Sequence, residues 1–333
     1  MSEHVTIAID AMGGDHGPSV CVPASLAMLE KNPRLRIVLV GREDDIRPLL
    51  NGNSDRLSVV HASEVVGMDE KPAEALRKKK DSSLRVAINM VKDGRADACV
   101  SAGNTGALMA TGKFVLKTLP GIDRPAIMAA LPTIEGNLHM LDLGANSDCT
   151  SEHLYQFAIM GSVVASVIEN IDNPRVGLLN IGEEDMKGND NIRQAAAMLA
   201  ETNINYAGFV EGDDIAQHKV DVIVADGFTG NVALKVMEGT ASLVSHFIKR
   251  GFGSGLYGRL AGVVALPVLM KLRKSLDPRQ YNGASLVGLN GIVVKSHGGA
   301  DELALQQAIR VAMLEVEKRV PETIHQLLAE SES

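Results

Sequence analysis

Short β-rich runs, several of them apolar throughout and not alternating, recur along this chain. They are VTIAID at 5–10, RIVLV at 36–40, ACVSA at 98–102, AIMAALP at 126–132, VGLLNIG at 176–182 and VDVIVAD at 220–226. A strand with one face in water alternates apolar and polar residues, whereas a strand apolar throughout needs cover on both faces. LSVVHA (57–62), HMLDLG (139–144) and NYAGFV (205–210) also read as strands. Stretches of helical period fall between them, at 82–93, 105–117, 151–168, 190–201, 231–249 and 301–319. Strands and helices alternating on this scale predict helices on both sides of a largely parallel sheet, a three-layer α/β/α fold. Near the end, Asn290-Gly291 between SLVGL and IVVKS predicts a two-residue hairpin turn.

No low-complexity linker or break in composition divides the 333 residues. The expectation is a single continuous fold over 1–333, in two lobes with intertwined boundaries. A net charge of −8, no Trp and four Tyr make the chain a poor partner for nucleic acid. MSEHVTIAID enters a strand directly, without the basic start and apolar core of a secretory signal. Cys21, Cys99 and Cys149 are far apart and form no CxxC spacing, which fits a reducing compartment, the cytoplasm, and argues against a thiolate metal site. The longest apolar run, LAGVVALPVLM at 260–270, contains a proline and falls short of the roughly 20 residues a spanning helix needs.

The strand ends share a composition. IDAMGGDHG, VSAGNTG, LDLGAN, LNIGEE and VADGFTG each put glycine with Asp, Asn, Ser or Thr where a strand gives way to a helix. In open α/β sheets ligands bind at that edge, and glycine lets a ligand approach the main chain. The following helix start offers free N–H groups and partial positive charge, so the pattern predicts an anion site, for phosphate above all. Gly-x-Thr-Gly occurs twice, at 103–106 and 227–230, as two expected walls of one crevice. Thr105 and Thr229 read either as helix caps or as hydroxyls offered to a ligand. No Walker loop is present, and the GxGxxG at 253–258 follows a helical segment, not a strand, so no dinucleotide site is assigned.

Six motifs in order, IDAMGGDHGPS, CVSAGNTGALM, LDLGAN, LLNIGEEDMKG, DGFTGNVALK and YNGASLVGLNGIVVKSHG, resemble those of the bacterial phosphate acyltransferases of the PlsX family. The resemblance runs from about Ile7 to the C-terminal helix. It implies an isocitrate/isopropylmalate dehydrogenase-like and phosphotransacetylase-like fold, a homodimer, and transfer of a fatty acyl group from acyl carrier protein to inorganic phosphate. The acyl phosphate product would feed phospholipid synthesis through a downstream membrane glycerol-phosphate acyltransferase. No cofactor is implied.

For that reaction phosphate is itself an oxygen nucleophile, so the site must hold it, stabilise an oxyanion and let a thiolate leave. Lys187 is the expected cation, Asn231 an amide donor and His16 a proton shuttle or phosphate donor, with Asp10 or Asp226 orienting them. Expected to line the phosphate and substrate site are Gly13, Gly14, Ser101, Gly103, Asn104, Thr105, Gly106, Asn146, Gly227, Thr229, Gly230 and His297. For each, a turn, cap or solvated surface role stands as the alternative. Cys149 raises an acyl-cysteine route, which needs a lowered thiol pKa. The acidic trio Glu183-Glu184-Asp185 and Asp15-His16 match no ligand spacing, so no metal is expected.

From Gly239 to Leu276 there is no Asp or Glu, while Lys249, Arg250, Arg259, Lys271, Arg273 and Lys274 bracket the apolar run. This makes 250–276 a basic and apolar helical insertion facing either a membrane, through Leu260, Val263, Val264 and Leu266, or a dimer partner. Arg77, Lys78, Lys79 and Lys80 with Arg85 form a second basic cluster, read as a docking patch for the acidic carrier or as a solvated helix face. Two other readings stay open: a hydroxy-acid dehydrogenase of the same fold, and a non-catalytic phosphate sensor or scaffold.

Overall fold

The computed structural model describes residues 4–50, 54–253, 255–275 and 277–331. Ser254 of the GxGxxG segment, Leu276, and the side chains of Arg273 and Lys274 lie outside the described residues. The strands are β1 (Val5–Asp10), β2 (Leu35–Gly41), β3 (Leu57–His61), β4 (Ala98–Ser101), β5 (Ala126–Thr133), β6 (Gly136–Leu141), β7 (Val176–Leu179), β8 (Tyr206–Val210), β9 (Val222–Val224), β10 (Ala284–Val287) and β11 (Ile292–Lys295). The helices are α1 (Pro18–Lys31), α2 (Glu43–Ile46), α3 (Pro72–Lys78), α4 (Ser83–Lys92), α5 (Thr105–Leu116), α6 (Ser151–Glu169), α7 (Asp190–Ala200), α8 (Gly227–Gly253), α9 (Gly255–Ser275), α10 (Glu302–Lys318) and α11 (Val320–Ser331).

All eleven strands form one sheet, in the order β3-β2-β1-β4-β11-β10-β5-β6-β9-β7-β8. The apolar runs serve as expected, since each strand feeds two layers. On β1, Ala8 faces a core with α4 and α5, while Val5, Ile7 and Ile9 face a core with α1 and α10. A third apolar cluster joins β7 and β9 to α6, α7 and α11.

The sheet is parallel in each half but not across its middle. β10 pairs antiparallel with both β11 and β5, and β5 antiparallel with β6. The strands β6, β9, β7 and β8 therefore run opposite to β1, β2, β3, β4 and β11. The C-terminal hairpin forms, although its connection spans 288–291 and is not the expected two-residue turn. Asn290 instead braces the neighbouring loop, its amide donating to Thr118 O at 2.7 Å.

Helix α8 begins four residues earlier than its apolar period indicates, because Asp226 accepts from the Thr229 N–H at 2.9 Å and starts the helix at Gly227. The helix then runs beyond the sheet, and α9 folds back on it. No helix of the described residues is long and apolar enough to cross a membrane.

Candidate active site

Three strand ends meet in the first half. At the end of β1, the buried Asp10 accepts from Ser101 Oγ at 2.7 Å, and Ser101 Oγ accepts from the Gly103 N–H at 3.0 Å. The turn after β11 closes on the turns after β1 and β4: Asp15 N–H donates to Gly298 O at 2.9 Å and Ser296 N–H to Ser101 O at 2.9 Å. A Cβ at Gly13 would stand 2.7 Å from Gly103 N, and one at Gly14 2.8 Å from Gly298 O, so only glycine lets these turns touch. His16 and His297 are exposed at the rim. His297 Nδ1 accepts from the Gly299 N–H at 3.1 Å, which fixes the ring and leaves Nε2 outward.

A second cluster forms at the ends of β6 and β9. Asp142 is buried and receives five donors: the N–H groups of Ile127, Gly144, Ala145 and Asn146, and the Asn146 side chain, at 2.7–3.3 Å. Burial still pushes its carboxyl above the ordinary value, against those hydrogen bonds. Gly227 N–H donates to Asn146 O at 2.7 Å, and a Cβ at Gly230 would stand 2.0 Å from Asp142 O. The helix start of α8 is thus pressed onto the loop after β6, with Asn231 beside Gly144. Lys187 follows β7, exposed, its stem folded over Gly182.

These positions revise several expectations. The LDLGAN turn, expected to cradle an external anion, cradles Asp142 of its own chain. Asn146 commits both amide hydrogens, to Asp142 and to Pro125 O, and keeps none for a ligand. Asn104 is likewise spent: its Oδ1 caps α5 through the Ala107 N–H at 2.9 Å, and its amide donates to the carbonyls of Gly67, Met68 and Glu70. Thr105 and Thr229 are not the caps. Asn104 and Asp226 are, and Thr229 Oγ1 donates to Asp226 at 2.7 Å. Besides the exposed side chains of Asp15, His16 and His297, what the first cluster presents to solvent is backbone, including the first turn of α5 at Thr105 and Gly106.

Burial first, then the charge of Asp142, pushes the Cys149 thiol up to about 11, opposite to the lowered value that an acyl-cysteine route needs. Among the described residues no group of three His, Cys, Asp or Glu is placed to hold a metal. Asp142 and Lys295 are the residues the sequence reasoning missed. Lys295 closes the apolar run IVVK at a position where β1, β4 and β7 are each followed or ended by Asp, Ser or Asn, and that exchange was the available signal.

The two halves run in opposite directions, so the two Gly-x-Thr-Gly segments start from oppositely directed strands. The second of these strand ends lies five sheet steps from the first, from β4 to β9. Lys235, two turns into α8, lies near enough to Lys295 on β11 for its charge to act there.

Of the basic cluster, Lys79 turns inward to Glu70 at 2.7 Å, and Lys78 pairs with Glu74 at 3.1 Å. Arg85 donates to Leu76 O at 2.9 Å and lies 5.3 Å from the ring centre of Phe114, which is itself exposed. Arg77 and Lys80 point to solvent. In α9 the apolar residues are uncovered in the single chain, with Leu260 60 % and Val264 84 % exposed.

The sheet order and these strand-end clusters define an α/β protein of the phosphotransacetylase fold. A phosphotransacetylase from Streptococcus pyogenes superposes with a TM-score of 0.64 at 18 % identity, covering 96 % of this chain and 95 % of that one. A branched-chain phosphotransacylase from Enterococcus faecalis does so at 0.58 and 16 %, covering 94 % and 99 %. In sequence, residues 5–323 match the family described as "Fatty acid synthesis protein". The chain is 60 % identical over 341 residues to a phosphate acyltransferase of Alkalilimnicola ehrlichii, with all of both chains covered. To that of Methylococcus capsulatus it is 62 % identical over 323 residues, covering 96 % of this chain and 95 % of the relative. The chain belongs to this family, that of the bacterial phosphate acyltransferases.

Proposed function

We propose that this protein transfers a fatty acyl group from acyl carrier protein to inorganic phosphate, yielding acyl phosphate for phospholipid synthesis. The observation that carries the reading is the junction of the β1, β4 and β11 ends, close-packed main chain with histidines at its rim. Such a junction suits an inorganic oxyanion, which here is itself the attacking group. A phosphate oxygen attacks the thioester carbonyl, the tetrahedral oxyanion is held by N–H donors, and the carbon–sulfur bond breaks to release the carrier's thiolate. Asn231 and Lys187 belong to the second half and would meet the thioester side, while His16 and His297 would meet phosphate.

The product is too apolar to travel freely in water. The uncovered face of α9, through Leu260, Val263, Val264 and Leu266, is proposed as peripheral contact with the membrane, where a glycerol-phosphate acyltransferase would take the acyl phosphate. The protein is proposed to work as a homodimer in the cytoplasm, with Arg77 and its basic neighbours steering the acidic carrier.

Incubation with acyl carrier thioester and phosphate, followed by hydroxylamine trapping, tests the reading. Acyl hydroxamate is expected. Reduction of a nicotinamide with a hydroxy acid would favour a dehydrogenase, and neither product would favour a scaffold. Lys187→Ala and Asn231→Ala are expected to lower the rate severely, and near-normal rates in both would remove those roles.

A further inference from the structure

Lys295 ends β11 and is buried, the sole lysine or arginine so placed among the described residues. Its ammonium donates to Ala102 O at 3.3 Å and to the carbonyl of Ser296. An ammonium has three N–H groups, so one is left without a protein partner among the described residues. Removing such a charge from water without a carboxylate in ion-pair contact is unfavourable. The chain carries that cost where the turns after β1, β4 and β11 close on one another.

A purely structural staple between the two carbonyls would not need a charge, since a neutral donor also satisfies a carbonyl without the desolvation of an ammonium. The surrounding glycines also matter. Gly13 packs against Gly103 and Gly14 against Gly298, and a Cβ at Gly14 would stand 3.4 Å from Ala102 O, the carbonyl that Lys295 holds. Resting on the reading of phosphate as substrate, we propose that Lys295 binds inorganic phosphate, giving its remaining N–H and its charge to a phosphate oxygen held over the ends of β1, β4 and β11. The charged groups that act on it are Asp10 on β1, Asp15 in the following turn and Lys235 on α8. Burial, the largest influence, brings the ammonium down to about 8, against the two aspartates. A bound dianion would hold the proton in place.

Lys295→Met keeps the length and removes the charge and the donors. In the full-length variant the KM for phosphate is expected to rise roughly 10- to 100-fold, the loss of one charge-assisted hydrogen bond, with the KM for the acyl donor little changed. Binding is read independently of turnover as the rise in Tm on adding millimolar phosphate. That rise is expected in the wild type, shrinking as the pH passes about 8, and to be markedly smaller in the variant. A folded variant with unchanged KM for phosphate and an unchanged Tm response overturns the proposal. If the variant does not fold, a wild-type Tm response that persists undiminished above that pH overturns it. Phosphate binding that depends on Lys295 without acyl phosphate formation would sink the proposed function alone. Acyl phosphate formation undisturbed by the substitution would sink this inference alone.

Discussion

Glu315 lies on α10 with its carboxyl inside the molecule, accepting the hydroxyl of Ser285 on β10. Burial outweighs that hydrogen bond and pushes the group up to about 7. The folded value exceeds the unfolded one, so between them the native state binds more protons. Stability from this group is therefore fully present below the unfolded value of about 4.5 and falls as the pH rises toward and past 7. Glu315→Gln removes the titration. Relative to wild type, its Tm is expected to rise from pH 5 to pH 8, by an amount worth on the order of 3 kcal/mol at most. A constant difference in Tm across that range would count against it. Residues of this kind were not legible in the sequence, because what decides them is contributed from far along the chain. Asn146 is spent on Pro125 and Asn104 on Gly67, while Lys295 reads in sequence as an ordinary solvated strand end. Each looks like an available donor or cation until its distant neighbour is in place.

At the scale of elements, the repeated Gly-x-Thr-Gly is one sequence pattern with two local structures. Asn104 caps α5 from inside the first pattern, and Asp226 caps α8 from before the second, so the two helices start in different registers. In α8 this places Gly230 against the carbonyl of Asp142, where a Cβ would stand at 2.0 Å. Gly230→Ala is accordingly expected to cost about 3 kcal/mol by overpacking, read as a lower urea midpoint, despite alanine's better helix propensity. A stability gain would mean that the helix start is free to shift. The α8–α9 hairpin makes the opposite demand, for its apolar residues face outward. Leu260→Glu with Val264→Glu is expected to abolish binding to anionic vesicles while leaving turnover of a soluble donor intact. If binding survives and the oligomeric state changes instead, the face belongs to a partner copy.

For the whole molecule, the central strands were legible because they are short, largely apolar runs that must be covered on both faces, and that property is local. The reversal between halves was not, since it depends on where β10 inserts, and pairing with β5 is settled across more than a hundred residues of chain. The hairpin of β10 and β11 occupies the middle of the sheet, so residues from the end of the chain hold its two earlier parts together. It also brings Lys295 level with Ser101 at the end of β4, which ties the first strand-end cluster to the seam of the sheet. Leu286 sits in that seam, buried and registered against Ile127, within the apolar layer shared by both halves. Leu286→Ala is expected to cost roughly 3 kcal/mol through the cavity it leaves. If the seam makes the two halves one cooperative unit, hydrogen exchange should accelerate together in β2 and β7, although neither strand pairs with β10. Faster exchange in one half alone would show that the halves open separately, and the crevice between them would then be a hinge and not a fixed cleft.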